Sequence, residues 1–395
     1  MSLKESTPSH WLVVAELLFF AVSSFRMKRQ SGDLTLRELI SVFYKHGYKL
    51  GVEYFLENYL LDRYRLRVKI VLGQPSISFF KKFDGFFSST MLVRLASRAP
   101  SKTRVLLMRE GAMGDVIMLT PIIRQLYMQR RGNVSIDVVT AFGAVFDNNP
   151  YVHSIIPVGA AKRVVRTYDM VIDFNGLYER DLSEHPVRSY AKHAFGDDSF
   201  PKKLDIFYKD ADVNFVKAKL KEFKVDGAYL VCHKPNHDWP NRNLPNKFWI
   251  DFLKKLSKST GKKIIQVGSS SDFALRNESN IYDQRGLYDL QKLAALINMS
   301  SGFVGVDAGP SHIAASTNAP IFTFYTCAHH EARMPLRDSG VFIPIAPNVE
   351  CYGCMQRVSY PRPGYFCETG DNKCVEAFSA TNAVELISDA ISNPC

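Results

Sequence analysis

Three short segments place chemically useful side chains just after apolar runs. The first is Arg109-Glu110-Gly111-Ala112-Met113-Gly114-Asp115, which follows Val105-Leu106-Leu107-Met108 and precedes a helical pattern over residues 116–127. Gly111 and Gly114 permit a tight turn and close approach of a ligand, and the Asp115 carboxylate could take a proton from a hydroxyl as general base. Capping the following helix is the alternative role for Asp115. The second segment runs from His233 to Pro245 and includes Lys234, Trp239 and Arg242. A guanidinium there could neutralise charge developing on a diphosphate leaving group, with Lys234 as second candidate; a solvated basic loop is the alternative. The third is Gly305-Val306-Asp307-Ala308-Gly309-Pro310-Ser311-His312, where an apolar run gives way to a helix over residues 311–317. Amides at that helix start could bind a diphosphate, Pro310 suits a first turn because it lacks an N–H, and His312 could add a donor. A lone histidine is more often structural. The spacing of the first segment is not Gly-x-Gly-x-x-Gly, so a dinucleotide fingerprint is unsupported.

A different chemistry is suggested near the C-terminus. Cys351, Cys354, Cys367 and Cys374 lie in a Cys-x2-Cys-x12-Cys-x6-Cys pattern, four of the seven cysteines of the chain. Paired thiolates at this spacing predict a tetrahedral zinc or iron site that folds the loop and does no chemistry, since no ligand position stays open. Free thiols or a redox site are the alternatives.

These segments need elements to hold them. Apolar runs at 104–108, 135–140, 154–158 and 170–174, and then at 229–232, 263–267, 303–306 and 321–325, read as buried strands separated by helical or loop segments. Two such series predict an α/β chain with two Rossmann-like, doubly wound domains facing a cleft, with the motifs at carboxyl edges of strands. The expected organisation is a helical N-terminal extension over 1–100, with helices at 11–27, 34–47 and 52–65. A first Rossmann-like domain over 101–205 and a second over 206–346 follow, then a four-cysteine metal finger over 347–378 and a C-terminal helix over 379–395. The lysine-rich stretch 197–226 reads as a connection, and the last helix could pack back on the first α/β domain.

The three motifs, in this order and at these strand ends, resemble glycosyltransferase family 9, the ADP-heptose:lipopolysaccharide heptosyltransferases, over about residues 104–391. The resemblance implies a GT-B fold, inversion at the anomeric carbon and no catalytic metal. Asp115 after Gly114 would be the family's base. The family's Trp-Pro-x-Lys-x-Trp-Pro loop maps its lysine onto Arg242, and its Asp-Ser/Thr-Gly-x-x-His loop maps onto Asp307, Ala308, Gly309 and His312, with Ser311 between them. Ala308 replaces the usual hydroxyl, and arginine for lysine changes the phosphate geometry. A position within 268–272, with Asp272 the candidate, would approach the ribose. The Cys351-Tyr352-Gly353-Cys354 start also resembles the iron-binding finger of bacterial autotransporter heptosyltransferases, which implies iron as a rival to zinc and protein as a possible acceptor.

Composition narrows the partners. The formal net charge is +11, and residues 1–100 carry 15 Lys plus Arg against 8 Asp plus Glu, which favours anionic ligands or surfaces. No apolar run reaches the length of a spanning helix. The expectation is a cytoplasmic protein, peripheral to the inner membrane if the basic N-terminal region touches lipid, and free to oligomerise. Its donor would be a nucleotide sugar resembling ADP-heptose, and its acceptor lipopolysaccharide core, with protein Ser/Thr or hydroxymethylated DNA as alternatives. A non-catalytic binding or scaffold protein is the competing class.

Overall fold

The structure, a computed structural model, describes residues 102–236, 240–275, 280–357, 367 and 369–392, together with the backbone of 67–70 and 77–80. The helices expected at 11–27, 34–47 and 52–65 lie outside the described residues. Within the stretch expected to be helical, the described backbone is instead extended: β1 (Arg67–Ile70) pairs antiparallel with β2 (Ile77–Phe80), Arg67 opposite Phe80. Among the described residues, no helix is long and apolar enough to cross a membrane.

The chain divides into two compact units, residues 1–106 with 162–171, and residues 107–161 with 172–395. In the first, the Arg104 N–H donates to the Asp169 carboxylate at 2.8 Å and its guanidinium lies over the Tyr168 ring. The second carries the three motif segments and the four clustered cysteines.

One sheet consists of β3 (Thr103–Met108), β4 (Val134–Val139), β5 (Ser154–Ile156) and β6 (Met170–Asp173), in the order β5-β4-β3-β6. β4 and β5 are parallel, Asp137 opposite Ser154. The other contains β7 (Tyr229–His233), β8 (Lys263–Val267), β9 (Ile281–Asp283), β10 (Phe303–Val306), β11 (Ile321–Phe324) and β12 (Phe342–Ile345), ordered β12-β11-β10-β7-β8-β9 with parallel pairing. This is the doubly wound order in which the chain leaves the first strand on one side, returns, and continues on the other. The loops after the first and fourth strands of each series therefore meet at the switch point, where open α/β sheets bind ligands.

The helices follow their local signals. α1 (Met113–Ile117) and α2 (Thr120–Gln129) divide the single helix expected over 116–127, because Pro121 at the start of α2 has no N–H with which to continue a helix. α3 (Pro186–Phe195) begins on a proline, is capped by the His185 side chain accepting from Val187 N–H, and stops at Gly196 with φ +78°. α4 (Asp210–Glu222) corrects the reading of 197–226 as a connection. Its only fully buried residue is Val216, so its apolar stripe is too thin to stand out from the charges; the Asp212 carboxylate accepts the Lys209 N–H and fixes its first turn. Among the described residues the other helices are a single turn at Ala161–Val164, α5 (Asn246–Thr260), α6 (Leu290–Asn298), α7 (Gly309–Ala315), α8 (His330–Arg333) and α9 (Ala380–Ser392).

The larger core packs Trp249, Phe252, Leu253 and Leu256 of α5 against the β-sheet residues Phe322 and Phe324. α9 adds Val384 and Ile387 to this core, so the last helix packs on α5 and not on the first sheet. Lys255 and Ser259 of α5 also bond Thr381 and Ser388.

Candidate active site

The switch point of the first sheet builds a buried charge cluster around Asp115. Arg109 leaves the end of β3 fully enclosed, donates Nη1 to the Phe174 carbonyl at 3.2 Å, and stitches the loop after β3 to the loop after β6. The Glu110 N–H bonds Asn175 Oδ1 at 2.8 Å in the same seam. The Arg109 Nη2 reaches two carboxylates, Asp115 Oδ2 at 2.5 Å and Glu179 Oε1 at 2.8 Å. Tyr178 OH donates to the Asp115 carboxylate at 3.1 Å, and the Arg109 guanidinium stacks over the Tyr178 ring. Asp115 is 8% exposed. Burial raises its pKa, and that effect outweighs the opposing pull of Arg109 and the Tyr178 hydroxyl. A carboxylate so placed is held in one orientation yet is more basic than an exposed aspartate, as a general base requires. Ala112, just before α1, has φ +48°, a left-handed conformation that a non-glycine residue adopts at a cost and that turns Asp115 inward.

The second sheet repeats the device. Arg242 follows β7 and Asp307 follows β10, adjacent strands at the switch point, and Arg242 Nη2 pairs with Asp307 Oδ2 at 2.9 Å and also bonds the Asp307 carbonyl. Sequence reading nominated both residues but not their pairing. Ala308 starts α7 without a side-chain cap, and the Ser311 hydroxyl donates back to the Val306 carbonyl at 2.6 Å. His312 is buried with no partner for Nδ1, and burial chiefly holds its pKa down to about 4, so it stays neutral.

The two switch points meet inside the same unit. A Cβ on Gly114 would stand 3.1 Å from His312 Cδ2, and one on Gly309 would collide with the Met113 methyl. The glycines thus let the Asp115 helix lie directly on the Asp307–His312 loop. This brings Asp115, Gly114, Gly309 and His312 together.

Lys234 belongs elsewhere. It is buried on the β8 side of β7, with Nζ on Asn236 Oδ1 at 3.2 Å and over the Phe273 ring, and burial lowers its pKa. Asp272, the ribose candidate, accepts from the Asn236 and Ser269 N–H groups at 2.9 and 2.8 Å, so both carboxylate oxygens hold the two loops together. His237, Asp238 and Trp239 of this segment lie outside the described residues.

The cysteines depart from expectation. Among the described residues, which include Cys351, Cys354, Cys367 and Cys374, no three His, Cys, Asp or Glu side chains are placed to hold a metal ion. Cys354 and Cys374 are turned into an apolar cluster with Cys327 and Val375. Their thiols bond the Cys327 and Asn241 carbonyls at 3.9 Å. Cys367 instead accepts the Asn372 N–H. Burial, chiefly, pushes the Cys374 thiol up to about 12. Through Asn241 and Gly353, whose Cβ would meet His329 at 3.1 Å, this segment braces the turn that carries Arg242 and the entry to α8.

Tyr178 and Glu179 were not singled out from sequence. The signal was topological: polar residues after the fourth strand of a doubly wound sheet face those after the first.

Residues 175–362 match the family model for glycosyltransferase family 9 (heptosyltransferase). The chain is a glycosyltransferase. The matched span takes in Tyr178, Arg242 and the Asp307–His312 loop and begins after Asp115. The fold resembles that of a glycosyl transferase family 9 protein from Veillonella parvula (TM-score 0.62, 15% identity, 74% of this chain and 98% of that one). It also resembles ADP-heptose lps heptosyltransferase II of E. coli (TM-score 0.56, 15% identity, 73% and 98%). A third similar structure is the iron-containing dodecameric glycosyltransferase TibC of E. coli (TM-score 0.56, 14% identity, 81% and 84%). At these identities the likeness establishes a GT-B-like α/β fold. Among curated proteins, no sequence matches the chain.

Among the described residues the glycosyltransferase buries three histidines, His185, His233 and His312, whose pKa values burial, chiefly, lowers to about 3, 4 and 4. The unfolded chain, with ordinary histidines near ~6.5, binds more protons than the folded one between that pH and about 4, so stability is lost as pH falls through this window. Melting temperature should drop by several degrees from pH 7 to pH 4.5; a flat profile would contradict the burial described.

Proposed function

We propose that this glycosyltransferase moves a heptose-like sugar from a nucleotide diphosphate donor to a hydroxyl of a lipopolysaccharide-core saccharide, with inversion. Asp115 takes the acceptor proton while Arg242 and the Asp307–His312 loop receive the charge of the departing diphosphate. Arg109 and Tyr178 are positioning residues that fix the Asp115 carboxylate. The observation that carries this reading is the contact of Gly114 with His312, which sets a buried carboxylate beside the loop to which the family resemblance assigns donor phosphate. Base and leaving-group cation then serve opposite ends of one displacement. The named heptosyltransferase among the similar structures supports the donor class.

The cysteine segment enters as structural support for Arg242. The likeness to iron-containing, dodecameric TibC supports an oligomer and a structural iron or zinc on Cys351, Cys354, Cys367 and Cys374, which would require Cys354 and Cys374 to turn out of their apolar cluster. Metal content and particle mass of the purified protein test both. Contact of the basic N-terminal region with an anionic inner-membrane surface completes the reading.

The decisive assay incubates the protein with ADP-heptose and with UDP- and GDP-sugars, offering lipopolysaccharide core, peptide and hydroxymethylated DNA as acceptors. Transfer from ADP-heptose to the core is expected. Transfer only to peptide or DNA would replace the acceptor, and a folded protein that consumes no donor would favour the scaffold class.

A further inference from the structure

Arg333 closes α8, which begins just beyond β11, the neighbour of β10 whose loop carries Asp307 and His312. It is only 6% exposed. Its Nη1 donates to the Ala332 carbonyl at 2.7 Å, while Nη2 is buried with no hydrogen-bond partner. The guanidinium lies over the Tyr178 ring, 4.9 Å from its centre, and Tyr178 in turn bonds Asp115. The other two arginines of the region are matched, Arg109 by Asp115 and Glu179 and Arg242 by Asp307, whereas among the described residues Arg333 has no carboxylate within ion-pair distance. A buried guanidinium without a counter-ion is costly unless an anion joins it. Its charge is felt at His312, which itself has an orphaned nitrogen, and at Tyr178. The unpartnered donor therefore lies where the base and the Asp307–His312 loop adjoin.

We propose that Arg333 is a second cationic ligand of the donor's diphosphate, contacting the phosphate oxygens through Nη2 from the side opposite Arg242. The assignment rests on the nucleotide-diphosphate reading above. It gives the diphosphate two guanidinium forks, one reached from the loop after β7 and one from the helix after β11, and it places positive charge near the Tyr178–Asp115 pair only where the leaving group also needs it. A carboxylate on an acidic acceptor has the same oxyanion chemistry, but the proximity to His312 favours the donor side.

The test titrates ADP, GDP and UDP, then adenosine and inorganic pyrophosphate, into wild-type protein, Arg333→Gln and Arg333→Lys by calorimetry, with melting curves for each. The best nucleoside diphosphate should bind Arg333→Gln about tenfold or more weakly, with Arg333→Lys in between. Pyrophosphate should lose affinity in parallel and adenosine should not. Arg333→Gln should melt no lower than wild type, because it removes an unpaired buried charge. Equal diphosphate affinity in wild type and Arg333→Gln would overturn the inference and leave the donor reading standing. So would a variant that melts lower and loses adenosine and ADP alike, which marks a structural residue. Wild-type protein that binds none of the three nucleotides would remove the donor reading itself.

Discussion

Asp115→Asn should lower turnover by about 10²- to 10⁴-fold, the usual contribution of a positioned general base, while nucleoside diphosphate affinity stays within a few-fold of wild type. Asparagine keeps the shape of the side chain and can still accept from Tyr178, but it cannot take the acceptor proton. The fold should survive, since Arg109 retains Glu179 at 2.8 Å. The same carboxylate sets the pH profile. Its pKa is raised, by burial above all, so the acid limb of kcat/KM should lie above the range of an ordinary exposed aspartate near ~4. Arg109 is the largest opposing influence, so Arg109→Gln should move that limb to still higher pH. Wild-type turnover by Asp115→Asn, or an acid limb unmoved by Arg109→Gln, would remove Asp115 from the role of base.

The second large effect is expected at Arg242. Arg242→Met should cost about 10²- to 10³-fold in kcat, the scale seen when one preorganised donor to developing negative charge is removed. Arg242 also holds Asp307 through its carboxylate and its carbonyl, so the methionine variant loosens the phosphate loop as well as removing charge. Arg242→Lys separates the two effects. Lysine keeps the charge but cannot reproduce a planar fork, so kcat should recover in part while donor KM stays raised. Steady-state kinetics over donor concentration read this split, and a methionine variant within about threefold of wild type in kcat would exclude Arg242 from leaving-group stabilisation.

Much of this architecture can be read from residue patterns. Apolar runs such as Tyr229–His233 and Phe303–Val306 are buried throughout, and a parallel sheet covered on both faces requires just that continuous hydrophobicity. β9 and β12 escaped because most of their residues are only half-buried at the sheet edges, where composition resembles that of a loop. α4 escaped for the related reason that one buried valine leaves almost no stripe.

For the candidate site, Asp115, Arg242 and His312 could be nominated from sequence because each sits in a segment whose glycine or proline announces a strand-to-helix turn. Tyr178, Glu179 and Arg333 could not, since nothing local marks them. They acquire meaning only from strand order, which folds loops distant in sequence onto one another, and from orphaned donors that appear once burial is known. Lys234 is the converse case. It is a cation in the right segment whose side chain is committed to Asn236 and Phe273. The cysteine spacing was equally suggestive, yet spacing does not orient sulfurs, and two of the four are directed into an apolar cluster.

In the proposed transfer, a single displacement, one buried carboxylate activates the acceptor and the diphosphate leaves from the opposite side. NMR of the transfer product formed from the donor that turns over reports this directly, through the one-bond carbon–proton coupling at the anomeric centre of the transferred sugar. The anomeric configuration should be inverted, with one nucleoside diphosphate released per sugar transferred. Retention would contradict it, because two successive displacements need a nucleophile on the face that this account assigns to the incoming hydroxyl.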